Sequence, residues 1–554
     1  MDVQRMILIA AFAIISYMMV FQWNLDNGQV PEAEVATATT SVSAYADPSQ
    51  TDLPTVNASS ADATLPPTAA SGSTTGLITV STDVLNVIID STGGDIIEVS
   101  LPEHKKTQGA DLPFVLLEQN ANRTYVSQSG LIGANGPDAN TAGRPQYTTQ
   151  ASAYSLGSEE KIDVDFNYVD QNGVGITKRY TFTKGSYNVA LTYIINNTSN
   201  ASWTANLFAQ IKRDASEDPT QTTDMGMKSY LGAVFSTNEN NYEKVDFDDM
   251  DEANFKSQST NGYVGFVQHY FVSAWIPNQS ENVQYQSRTV NGNYIMGFTA
   301  PSFTLAPGQS TTLEANFYAG PKDPEQMEAA HESLKLTVDY GILWWIASPL
   351  YSILTWIQGI VGNWGLAIIG ITLLVKAVLY PLNEKAFRSM AKMRKFGPEM
   401  ARMKEMYGDD RQRMSQEMMK LYQKEKINPV GGCLPMIAQM PIFIALYWVL
   451  MESVELRHAS FLYISDLSDM DPYFILPILM GASMFIQQSL NPTPPDPMQA
   501  KIMKMLPIMF TFFFLWFPAG LTLYWVVNNI LSIAQQYVIN KKIEGSSDAP
   551  APAK

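Results

Sequence analysis

Hydrophobic positions along this 554-residue chain fall into three regimes with different periods. Met6 to Trp23 is one apolar run, flanked by Arg5 and Asp26. It is longer than a secretory h-region and lacks a small-x-small cleavage site, so it reads as an uncleaved transmembrane anchor over residues 1–26, N-terminus inside. Residues 27–76, as in VATATTSVSAYADPSQ, are Ala, Thr, Ser and Pro with few large apolar side chains. Such a segment cannot bury enough surface to fold and predicts a disordered tether. From Leu77 the period becomes two, in runs such as LITVSTDVLNVIID, KRYTFTKG and NVALTYIINNTSN, broken by Gly, Asn and Pro. That alternation predicts an all-β sandwich over residues 77–330.

The third regime begins at residues 331–360, where WWIASPLYSILTWIQGI, from Trp344, predicts a Trp-rich amphipathic helix lying in a membrane interface, with a break at Pro349. Long apolar runs follow at Gly365–Leu382, Val430–Met451, Tyr473–Leu490, Ile502–Phe517 and Leu521–Ile539. With the anchor they predict six spans. The expected architecture is therefore an α-helical polytopic membrane protein, with helical core 361–540 and tail 541–554, plus an all-β domain on the far side. Residues 383–428 predict a helical hairpin divided at Gly408, suited either to solvent alone or to docking a ribosome or nascent chain.

Charge fixes the orientation. Residues 24–340 carry 16 Lys+Arg against 37 Asp+Glu, whereas residues 384–428 carry 12 against 7. Basic loops stay in the cytoplasm, so the hairpin and the C-terminus belong inside and the acidic β domain outside.

Lys376 stands out because it lies within the apolar run GLAIIGITLLVKAVLYPL. A lysine at a span's centre costs roughly 2.5–3.5 kcal/mol on insertion scales. Its stem can snorkel to the nearer interface, or the charge can serve a function. Thr372 precedes it by one helical turn. Gln439 lies mid-span, Gln487 and Gln488 near a span end, and Tyr524, Asn528, Ser532 and Gln535 follow one stripe of the last span. These groups suit interhelical hydrogen bonds, and equally a shared wet cavity around the lysine. The Met- and Phe-rich run MLPIMFTFFFLWF suits either lipid packing or an adaptable apolar binding surface.

No phosphate-binding or dinucleotide motif occurs, and His104, His269, His331 and His458 lack metal-ligand spacing. Cys433 is the one cysteine, which rules out an intramolecular disulfide. No cofactor, metal, enzymatic step or nucleic-acid specificity is expected. Two readings of the residues stay open, a secondary transporter or channel and a membrane-anchored sugar-binding module working through its β domain, and a third comes with a resemblance.

Long motifs discriminate among them. INPVGGCLPMIAQMPIFIALYWVL from Ile427, DPYFILPILMGASMF from Asp471 and DPMQAKIMKMLPIMFTFFFLWFPAGLTLYWVVNN from Asp496 closely resemble the YidC/Oxa/Alb family of membrane-protein insertases in its Gram-negative bacterial form. The resemblance implies a five-helix core around a hydrophilic groove open to cytoplasm and lipid, and an exported β-supersandwich. It also implies insertion of nascent membrane proteins into the inner membrane, alone or with the Sec translocon. Lys376 falls where the best-known members carry arginine, which keeps the charge but loses the planar fork. Thr372, Gln439 and Tyr524 match positions that the family places at or near the groove, and Asn528, on one stripe with Tyr524, is expected beside them. Met440, Pro441 and Phe513 fall on the surface along which substrate helices slide.

Overall fold

The computed structural model describes residues 52–54, 76–139, 143–220, 229–407, 410–424, 434–491 and 497–547. The predicted anchor, nearly all of the tether, Cys433 and the last seven residues lie outside them.

The alternating runs form nineteen strands in two sheets. The larger contains β1 (Leu77–Ser81), β2 (Asn86–Asp90), β3 (Asp95–Lys105), β4 (Pro113–Gln119), β5 (Thr124–Ile132) and β6 (Ala153–Ser155). Its later members are β10 (Trp203–Arg213), β13 (Lys256–Ser259), β16 (Val283–Val290), β17 (Asn293–Thr299) and β18 (Phe303–Leu305). Their order is β13-β16-β17-β10-β5-β4-β3-β2-β1-β6, with β18 also on β10. The smaller sheet contains β7 (Lys161–Val169), β8 (Val174–Thr183), β9 (Asn188–Asn197), β11 (Gly232–Ser236), β12 (Glu243–Val245), β14 (Tyr263–Val267), β15 (Phe271–Pro277) and β19 (Ser310–Pro321). It runs β12-β11-β14-β15-β19-β9-β8-β7. In β8 buried and half-exposed residues alternate without exception, as period-two patterning requires.

The two sheets meet through groups that also satisfy their polar atoms. Tyr125 of β5 shares a 2.7 Å hydrogen bond with Ser273 of β15, and the Trp275 indole donates to the Gln210 carbonyl at 3.2 Å. Lys178 of β8 is fully buried, donating to the carbonyls of Gly93 (2.8 Å) and Ser129 (3.1 Å). Burial pushes its ammonium down to about 7, against the pull of Asp95.

Two short helices, α1 (Phe247–Glu252) and α2 (Pro324–Ala330), belong to this β-rich part. Asp246 caps α1 in a reciprocal capping box with Asp249. The rest is helical: α3 (Trp344–Val361), α4 (Trp364–Val378), α5 (Tyr380–Lys395), α6 (Gly397–Tyr407), α7 (Arg411–Lys424), α8 (Leu434–Glu452), α9 (Ile475–Leu490), α10 (Pro497–Phe513) and α11 (Ala519–Ser547). The break expected at Pro349 is absent: α3 runs through it. Its buried face is Ala347, Leu350 and Leu354, while Trp344, Trp345 and Trp356 are exposed. Gly362, at φ 68°, closes α3 in the left-handed conformation. Asn363 then caps α4 by accepting from the Leu366 amide at 3.1 Å.

Two expectations need correction. The run Gly365–Leu382 is not one helix: α4 ends at Val378, and α5 leaves it at 67°. Pro381, second in α5, lacks the N–H that would have continued α4. The segment 383–428 holds three helical pieces rather than two, since α5 stops at Lys395 and α6 restarts at Gly397. A small apolar cluster, Met393, Phe396, Met403, Met418, Leu421 and Tyr422, packs this arm. Among the described residues no single helix is long and apolar enough to cross a membrane; the bent pair 364–378 and 380–391 passes that test together.

Candidate functional site

The polar residues of α11 form a seam against its neighbours. α11 packs on α4, α5 and α9, and Tyr524, Asn528, Asn529, Ser532 and Gln536 are all buried along it. Each is met by another helix or by its own backbone. Gln439 of α8 donates through Nε2 to Asn528 Oδ1 at 2.5 Å and to the Tyr524 hydroxyl at 3.4 Å. On the opposite side Asn529 Nδ2 donates to Ser483 Oγ at 3.1 Å, and Gln536 Nε2 to Asn491 Oδ1 at 3.1 Å. The sequence stripe named Gln535; it is Gln536, seven residues beyond Asn529 and on its face, that is buried.

Lys376 joins the same seam. It is 9% exposed, and its Nζ donates to Ser532 Oγ at 2.7 Å, while Ser532 Oγ donates to the Asn528 carbonyl at 2.7 Å. Asn528 thereby touches both clusters, its side chain bound by Gln439 and its carbonyl by the hydroxyl that receives Lys376. Among the described residues no carboxylate lies within ion-pair distance of Lys376. Thr372 is buried one turn away, its hydroxyl donating to the Ile368 carbonyl of α4 at 2.6 Å.

The apolar candidates are arranged differently. Met440 is 43% exposed and Phe513 40%, with Ile437 and Ile444 of α8 and Met505, Met509 and Phe512 of α10 also exposed; Pro441 is half-buried. Gln439 faces the seam while its neighbour Met440 faces outward, so α8 divides one polar side from one open apolar side. The crossing of α9 and α10 depends on Gly481, since any β-carbon there would overlap the Thr511 side chain.

A further buried lysine, which the sequence does not single out, sits where the β domain meets α8. Lys322, just after β19, pairs with Glu452 at the end of α8, both side chains at most 3% exposed. Ser229 donates to the other Glu452 oxygen at 2.6 Å. The His269 ring contacts the Met451 carbonyl at 2.9 Å and stacks on Tyr270. Nearby, Arg457 donates to the Lys106 carbonyl at 2.9 Å and lies over Phe114. His104 stands against Phe271; burial, then the Arg457 and His458 charges, push its imidazole down to about 4.

Comparison with known proteins covers both parts. The family model described as the YidC periplasmic domain matches residues 77–353, and that described as 60Kd inner membrane protein matches residues 356–546. The membrane protein insertase YidC of Marinomonas sp. (strain MWYL1) is 54% identical over 99% of this chain and 100% of its own length. That of Pseudomonas fluorescens (strain SBW25) is 51% identical over 99% of each. A solved structure of an active YidC insertase aligns at 18% identity over 84% of this chain and 93% of that one, with a TM-score of 0.37. Identity above one half along the whole of both chains means that this chain belongs to the YidC family of membrane-protein insertases.

Proposed function

We propose that the chain is a membrane-protein insertase and chaperone of the bacterial inner membrane, guiding segments of newly made proteins through a hydrophilic groove, alone or beside the Sec translocon. The observation that carries this reading is Lys376: a buried ammonium bound to one hydroxyl, with no carboxylate partner among the described residues, on a seam of uncharged polar groups. A cation so placed is poorly compensated by protein and gains from water or a passing anion. In this reading Thr372, Gln439, Tyr524 and Asn528 border the groove. Met440, Pro441 and Phe513 form the adjoining slide.

The steps follow from solvation. An acidic flank of a nascent segment enters the seam toward Lys376, while its apolar stretch lies along the exposed faces of α8 and α10. Because lipid solvates the apolar stretch at least as well as this surface does, the segment leaves sideways. The membrane potential adds about 2.3 kcal/mol per 100 mV for each charge moved. No nucleotide is spent by this chain. Six spans, both termini in the cytoplasm and an exported β-supersandwich complete the reading, with the exposed tryptophans of α3 at the outer interface and the α5–α7 arm offered to ribosomes.

Photocrosslinkers at Met440, Phe513 and Lys376 test this on ribosome-bound chains stalled with one membrane segment emerged. All three positions crosslink to the segment on this account. Crosslinks to lipid alone would remove the slide.

A further inference from the structure

A three-residue island of the predicted tether, Asp52–Leu53–Pro54, is held on the β domain. The expectation of a free tether over 27–76 fails there. Lys212 of β10 pairs with the Asp52 carboxylate, and among the described residues Asp52 is the one carboxylate within 4 Å of it. The Asp52 carbonyl accepts from Gln210 Nε2 at 2.7 Å and from Arg288 Nη2 at 2.5 Å.

The register explains why these groups converge. Lys212 pairs with Ile295 of β17, and Ile295 with Arg288 of β16, so the three share one face of three adjacent strands. Gln210, two residues before Lys212, looks out from that same face. Between Gln210 and Gln286 the intervening strand carries Gly297, where a β-carbon would overlap Gln210. Ile295 is fully buried and Val126, opposite Lys212, is 3% exposed, although neither belongs to the core between the sheets. This outer face is therefore covered.

Its polar groups are also bound to one another. Gln210 Oε1 accepts from Arg288 at 2.7 Å, and Gln210 Nε2 also donates to Gln128 at 2.9 Å. Gln128 in turn donates to Asp95, which Arg144 pairs with. The amide is thus locked with one N–H aimed outward. The tripeptide is also pre-shaped: proline biases Leu53 toward extended backbone, which lowers the entropy lost on docking.

We propose that the outer face of β10, β17 and β16 is a binding site for an acidic extended peptide, filled in this chain by its own Asp52–Leu53–Pro54, which staples the tether to the β domain. Specificity comes from two cations reading a carboxylate and a carbonyl. The staple moves the effective attachment point from β1 to β10, five strands away in the sheet, about 24 Å at roughly 4.8 Å per strand. It also halves the chain separating anchor and domain: residues 27–51 span at most about 85 Å fully extended, against about 170 Å for 27–76. The site thereby shortens the greatest distance the domain can stand from the membrane.

Carboxyl footprinting of the full chain in lipid nanodiscs tests the proposal. With its side chain 41% exposed, Asp52 is expected to be modified about two- to threefold more slowly than Asp47 and Asp62, and Lys212→Ala combined with Arg288→Ala to bring it to parity. Leu53→Gly, which alters the tether and leaves the sheet intact, is expected to raise Asp52 reactivity as well. Equal labelling of Asp52, Asp47 and Asp62 in the unaltered chain, or protection that survives both variants, overturns it.

Discussion

Lys322 and Lys376 are both buried lysines, yet their surroundings differ in the one respect that matters. Lys322 ends on the Glu452 carboxylate, whose second oxygen is taken by Ser229. Lys376 ends on the Ser532 hydroxyl. A charge fully compensated by protein has little to offer a third party, so the first lysine reads as a latch between the β domain and α8. The second keeps unsatisfied electrostatic demand, which is what a transient site for acidic segments needs. Burial alone does not mark a functional charge: the fully buried Lys178 is met by two carbonyls and drawn by Asp95, whereas Lys376 has one hydroxyl and, among the described residues, no carboxylate within ion-pair distance.

The comparison can be broken at either lysine. The largest stability effect is expected at the latch: Glu452→Ala strands the Lys322 ammonium and costs about 3–5 kcal/mol, read as a lowered unfolding midpoint of the full chain. The double variant Lys322→Met, Glu452→Leu should recover most of that loss; failure to recover it would mean that the pair does more than neutralise itself. Next is the seam, where Gln439→Leu leaves the Asn528 amide without its 2.5 Å donor and costs about 1–3 kcal/mol. Smaller again is Ser532→Ala, about 1 kcal/mol, because the Lys376 stem can swing toward water. A loss at Ser532 as large as that at Glu452 would erase the distinction between the two lysines.

The smallest effect at neutral pH is that of His104. Its folded pKa, about 4, lies below the unfolded value near 6.5, so the unfolded chain binds the extra proton between those limits. His104 therefore contributes nothing above pH 6.5, lowers stability as pH drops from 6.5 to about 4, and imposes a constant penalty below. His104→Phe should flatten that part of the pH–stability curve and leave the midpoint at pH 7.5 unchanged.

What could be read from sequence was local. Period-two runs such as NVALTYIINN became β9 because alternation is a property of neighbours. Tyr524, Asn528 and Ser532 were legible as one face because helical spacing fixes faces. The Lys322–Glu452 pair was not, since 130 residues separate its members and no local pattern joins them. The choice of Gln536 over Gln535 was not, because it depends on where the end of α9 lies against α11. The docking of Asp52–Pro54 was hidden by tether composition, which averages over the few residues that find partners. The 67° bend after Val378 was half legible: Pro381 marks a boundary, while the apolar run around it argued for continuity.

The claim that Lys376 works as a point charge for substrate is tested most directly by charge substitution in an insertion assay, using matched substrates with acidic and neutral exported flanks. Lys376→Arg should insert both substrates as the unaltered chain does. Lys376→Glu should slow the acidic-flank substrate by about tenfold or more, the equivalent of roughly 1.4 kcal/mol, while sparing the neutral one. Equal insertion of both substrates by the Glu variant would contradict the account.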